Sequence, residues 1–131
     1  MAFPRAAGLR GIEFGTPGSS RIKLTDLVLR GNKRATAGLL SEYEQEGEAI
    51  EHVGEFLALI DNDGEHVATL KVLKVHVCSF KDVPDEFALA EGEGDLSAKD
   101  FRESHLSYWT RAGEEVNPET PIVQIYFELL K

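Results

Sequence analysis

Apolar positions follow two different periods along this chain, and the switches between them mark its elements. Ile22, Leu24, Leu27 and Val28 recur at helical spacing. Ser19 or Ser20 can cap this helix, and Gly31 suits its left-handed stop. Residues 34–40 then read as extended chain. Phe56, Leu57, Ala58, Leu59 and Ile60 form a continuous apolar run, which predicts a buried strand. Asp61-Asn62-Asp63-Gly64 predicts a hairpin turn after it. Residues 66–80 are the longest β segment, dominated by Val67, Leu70, Val72, Leu73, Val75 and Val77. The phase slips near Leu73, which predicts a bulge. Asp82 and Pro84 open a short helix through Phe87, Leu89 and Ala90, and residues 91–95 follow as a loop.

Ser97 and Asp100 stand at the spacing of a capping-box variant. The helix they open carries Phe101, His105, Tyr108, Trp109 and Ala112 on one face. Such a stripe packs a core or stacks on a base. Residues 122–130 close the chain as a strand with Val123, Ile125 and Phe127 on one side. Residues 1–18 hold Gly8, Gly11, Gly15, Pro17 and Gly18 without a period and read as a lead-in around Phe14. The crossover helices of a doubly wound parallel sheet are missing. The predicted class is α+β, a small mixed β-barrel with helices over its openings.

Length and composition narrow the function. A chain of 131 residues suits one domain with one core, so residues 1–131 are read as a single domain. No stretch approaches the roughly 20 apolar residues that cross a membrane, and residues 1–10 lack the apolar block of a secretion signal. The lone Cys78 allows no internal disulfide, which fits a cytoplasmic location, and its Val-rich setting reads as core. Calcium is excluded at residues 61–72, because Val72 stands where a loop of that type needs a glutamate. His52, His66 and His76 lack ligand-like spacing, so neither a metal nor a cofactor is expected. Glutamates at 42, 44, 46, 48 and 51 read as a solvated loop or short helix.

Net charge is −9, against a protein that coats nucleic acid with its whole surface. The distribution is uneven. Residues 1–40 hold Arg5, Arg10, Arg21, Lys23, Arg30, Lys33 and Arg34 against Glu13 and Asp26, a balance of +5, so the rest of the chain carries −14. The basic share surrounds Gly31-Asn32-Lys33-Arg34-Ala35-Thr36. Further on stands Ala90-Glu91-Gly92-Glu93-Gly94-Asp95. Brought together, these segments would join an amine, a hydroxyl and carboxylates, the parts of an activated nucleophile. The plainer reading makes Thr36 a β-former, Glu93 a solvated loop residue and Lys33 a helix-end cation worth about 1 kcal/mol or less.

These segments, with Phe14-Gly15, Leu27-Val28-Leu29-Arg30, Val53-Gly54-Glu55 and the aromatic helix from Ser97, resemble the ASCH family of the PUA-like superfamily. The resemblance runs from about Phe14 to the C-terminus. It implies a PUA-like barrel, a cleft lined by the lysine loop, and action on RNA or its components. Some members look like small amidohydrolases that deacetylate 4-acetylcytidine. Their catalytic residues fall on Lys33, Thr36 and Glu93, with Glu91 close enough to compete. Others look like ribonucleases, and a non-catalytic RNA-binding module is a third reading. In those, Arg30, Lys33 and Arg34 would hold phosphates and Tyr108 or Trp109 would stack a base. The expected partner is a nucleoside or short single-stranded RNA. This chain departs from the compact amidohydrolases in its length and in its acidic 41–51 segment.

Overall fold

The computed structural model describes residues 3–130. Strands β1 (Arg5–Ala6), β2 (Leu9–Ile12), β3 (Ala35–Leu39), β4 (Phe56–Ile60), β5 (His66–Ser79) and β6 (Pro121–Leu130) form one sheet. Its order is β1-β2-β4-β5-β6-β3. All neighbours are antiparallel except β2 and β4. Helices α1 (Ser19–Leu29), α2 (Leu40–Glu46), α3 (Asp85–Glu91) and α4 (Ala98–Arg111) complete the α+β class.

Three expectations are corrected. The sheet does not close into a barrel: β1 and β3 stand at opposite ends of its order. The Gly-rich start is more than a lead-in. Its glycines break up any side-chain period, yet residues 5–12 form two strands, and β2 pairs with β4. Neither Ser19 nor Ser20 caps α1; both lie inside it, and Gly18 takes the cap position without a side-chain bond. Gly18 N–H instead donates to Asn62 Oδ1 at 2.7 Å, tying the helix entry to the β4–β5 turn.

Other elements follow the sequence pattern closely. Asp61 Oδ1 accepts from the N–H groups of Asp63 and Glu65, both at 2.9 Å, which shapes the predicted turn. The β5–β6 register shifts between Val72 and Lys74, as the phase slip at Leu73 requires. Ser97 caps α4 by accepting from Asp100 N–H at 3.2 Å. Asp100 in turn accepts from Leu96 N–H, one residue short of a full capping box.

Alternation along β6 supplies both sides of the sheet. Val123, Ile125 and Phe127 join Phe14, Val28, Tyr43, Leu57, Leu59, Leu70 and Val72 in one core. Ile122 joins Phe80, Phe87, Phe101 and Trp109 in a second core under α3 and α4. Fully burying each such side chain stabilises the fold by about 1.5–3 kcal/mol. The expected stripe on α4 is thus mostly packing, with Phe101 and Trp109 buried and Tyr108 exposed. Cys78 packs against this second core.

Candidate functional site

The lysine loop and the acidic loop meet because α1 and α3 both stop at left-handed glycines. Gly31 (φ 81°) ends the first and Gly92 (φ 65°) the second. At Gly92 a Cβ would strike the Asn32 carbonyl, so only glycine allows the two loops this approach. Backbone bonds then pin the crossing. Arg34 N–H donates to Ala90 O at 2.8 Å, and Arg34 O accepts from Phe127 N–H at 3.0 Å.

This crossing turns Lys33 inward, where it is 2% exposed. Its ammonium donates to Ala35 O at 2.8 Å, Glu91 O at 3.4 Å and Glu91 Oε2 at 3.2 Å. A further bond goes to Glu93 Oε2. The ammonium also lies 5.4 Å from the Phe14 ring centroid. None of these bonds goes to Thr36, although both residues line one cleft of about 380 Å³. Lys33 is therefore far more than a helix-end cation. Buried between two carboxylates, it balances charge that the fold has taken out of water.

Glu91 and Glu93 differ in role. Glu91 is 1% exposed and forms the floor. Glu93 keeps a quarter of its side chain exposed and faces the opening. The neighbour that the sequence did not single out is His105. Its Nε2 lies 3.0 Å from Glu91 Oε1. Its ring stacks on Phe101 with centroids 3.9 Å apart, and Nδ1 lies 3.1 Å from Phe101 O. His105 looked like one more stripe residue because its partner sits on a different helix.

The charges hold one another. Burial works against a charged Glu91, but the Lys33 ammonium and His105 outweigh it, and the carboxyl titrates below its usual range. Burial likewise works against a charged His105, yet contact with Glu91 and the charges of Glu91 and Glu93 carry the ring above the ordinary histidine value. Burial, then Glu114 and Glu46, push the Glu42 carboxyl up.

The remaining sequence candidates separate. Tyr108 and Trp109 both line the cleft. Trp109 is 3% exposed and packs on Phe80 and His105, whereas Tyr108 is 37% exposed and offers ring surface. Arg30 and Arg34 are not among the lining residues. Arg30 points outward and pairs with Asp26 at 2.9 Å, and the Arg34 side chain is exposed. The expected phosphate clamp of Arg30, Lys33 and Arg34 is therefore not assembled. The cleft instead carries Glu13, Glu42, Glu91 and Glu93 against Lys33, Arg111 and His105.

Comparison with known proteins agrees with this fold. A solved ASCH domain from Lactobacillus crispatus JV V101 is 28% identical with a TM-score of 0.78, covering 92% of this chain and 80% of its own. A solved protein from Enterococcus faecalis V583 is 25% identical with a TM-score of 0.77, covering 90% of this chain and 74% of its own. No curated protein matches the chain significantly. A family model described as ASCH domain matches residues 11–131, which takes in every element from α1 onward and both loops of the site. The chain belongs to the ASCH domain family.

Proposed function

We propose that this protein hydrolyses the amide of an acylated nucleoside, 4-acetylcytidine being the model substrate. The observation that carries the reading is Lys33. It is a buried ammonium held by Glu91 and Glu93, in the wall of a cleft that also presents Thr36. A cavity of about 380 Å³ lies within the ordinary range of small-molecule sites. Its lining, with more carboxylates than cations, favours a ligand without phosphate. The RNA-related roles associated with this family fit a substrate derived from RNA.

In this reading the Thr36 hydroxyl attacks the amide carbonyl. Glu93, the carboxylate facing the opening, takes the hydroxyl proton and passes it to the leaving amine. The carbon–nitrogen bond breaks, cytidine leaves, and water hydrolyses the acyl ester on Thr36. Lys33 is fully engaged with oxygens, so its part is to hold Glu93 in place and offset the developing negative charge. Tyr108 supplies ring surface for the base.

Binding of extended RNA and ribonuclease action are less favoured, because Arg30 and Arg34 lie outside the cleft. Purified protein incubated with 4-acetylcytidine, cytidine and a short RNA distinguishes the readings. Cytidine released from 4-acetylcytidine, with the RNA intact, is the expected result. Cleaved RNA with untouched 4-acetylcytidine would overturn it.

A further inference from the structure

We propose that Glu91, Asp95 and His105 form a site for one divalent cation of the zinc type, beside the hydrolytic groups but independent of them. One ligand atom from each lies within 4.8 Å of the others. The decisive feature is how two of these atoms face. His105 Nδ1 lies 3.1 Å from the Phe101 carbonyl, which only accepts, so Nδ1 carries a hydrogen. In the neutral ring that leaves Nε2 with its lone pair. Nε2 stands 3.0 Å from Glu91 Oε1. Yet Oε1, buried and 1% exposed with its residue, has no aligned hydrogen-bond donor among the described residues. A proton on Nε2 would pass to one side of it. Two ligand atoms 3.0 Å apart with no hydrogen bond aligned between them suit a cation that both can reach. With zinc–nitrogen and zinc–oxygen bonds of about 2.1 Å, adjacent ligand atoms lie roughly 3 to 3.5 Å apart.

The charges agree. Glu91, Glu93 and Asp95 are three carboxylates, and Lys33 balances one of them. A divalent cation answers the other two, whereas a proton on His105 answers one. Lys33 bonds the opposite oxygen of Glu91, Oε2, and leaves Oε1 available. Supports of the kind that orient metal ligands are in place. Phe101 O holds His105 Nδ1–H, and Ser104 Oγ donates to Asp95 Oδ2 at 2.9 Å. Three protein ligands leave a fourth position, on the side of the cleft that Glu91 and His105 line. A nitrogen ligand in a small, three-ligand site favours zinc over magnesium, which demands octahedral oxygen.

The test is calorimetric titration of chelator-treated, tag-free protein with zinc chloride, and with magnesium chloride for comparison. One zinc per chain, with far weaker magnesium binding, is expected. His105→Ala and Asp95→Asn should each weaken zinc binding by about tenfold or more, and Thr36→Ala should bind as the parent does. Circular dichroism checks each variant. Asp95→Asn keeps the shape of its side chain, so it remains informative if His105→Ala unfolds. No stoichiometric zinc binding by the parent protein would overturn the proposal, and so would unchanged affinity in folded Asp95→Asn. The readout is binding, so it succeeds or fails separately from hydrolysis.

Discussion

Lys33 and the arginines beside it show how far three neighbouring cations can diverge. Arg30 sits at the end of α1 and pairs with Asp26 on the same helix, with its side chain 70% exposed. Arg34 gives its backbone to Ala90 and Phe127 and its side chain to solvent. Lys33, between them, is 2% exposed and bonds two carboxylates from another segment. An exposed pair such as Arg30–Asp26 is worth well under about 1 kcal/mol, because water competes for both partners. A buried pair is different. Its net worth is small, but removing one member leaves a charge in a place where water cannot reach it. The contrast teaches that charge in this loop matters where Gly92 lets another backbone close over it.

The largest expected effect therefore comes from Lys33→Ala. Glu91 would keep His105 as its cationic partner, and the fold should lose about 3–5 kcal/mol in urea unfolding, together with all activity. A loss under about 1 kcal/mol would return Lys33 to the helix-end role. Glu93→Gln comes next. It keeps the shape of the site but removes the proton carrier, and turnover should fall by about 10²- to 10⁴-fold with little change in stability. Unchanged turnover would take Glu93 out of the proton path.

Smaller still is the double variant Arg30→Ala/Arg34→Ala. Turnover of a nucleoside should stay within about twofold, since neither side chain reaches the cleft, and stability should move by only about 0.5 kcal/mol. A large rise in the substrate concentration needed for half-maximal rate would show that the arginines bind substrate after all. The smallest effect concerns Arg5 and Glu48, another surface pair, at 2.9 Å. The Arg5 guanidinium and the Phe3 N–H hold the Glu48 carboxyl below the ordinary value of 4.5. A depressed carboxyl stabilises the fold above its unfolded value, and the effect is lost as pH falls through the folded one. Glu48→Gln should thus be slightly less stable than the parent at neutral pH, with the gap closing in acid below 4.5. A gap that widens in acid would contradict the sign.

Much of this frame was legible in the residues, for local reasons. The turn at residues 61–64, the bulge at Leu73 and the Ser97 cap each depend on a few adjacent side chains, and each was read correctly. The strands in residues 5–12 were missed because a Gly-rich stretch shows no alternation, and its pairing partner β4 lies far along the chain. Barrel closure was read from the order of elements and implied again by the family resemblance, and the strand order does not bear it out. At the site, Lys33, Thr36, Glu91 and Glu93 were all singled out in advance, and the structure gathers them around one cleft. Burial of Lys33 was not foreseen, because it follows from the Gly92–Asn32 approach between two loops. Arg30 and Arg34 were read as phosphate holders alongside Lys33, and adjacency in sequence says nothing about which way each side chain leaves a turn. His105 escaped for the opposite reason: its helix was legible, but its partner Glu91 ends another one.

In the proposed mechanism Thr36 and the buried Lys33 cluster form one amide-hydrolysing site. The most direct measurement compares the parent protein with Thr36→Ala on 4-acetylcytidine, following cytidine and acetate by chromatography, with unfolding of both proteins in urea as control. Release of both products by the parent, a fall of about a thousandfold or more in Thr36→Ala, and stabilities within about 1 kcal/mol of each other are expected. Equal release by the two proteins, or none by the folded parent, would contradict it.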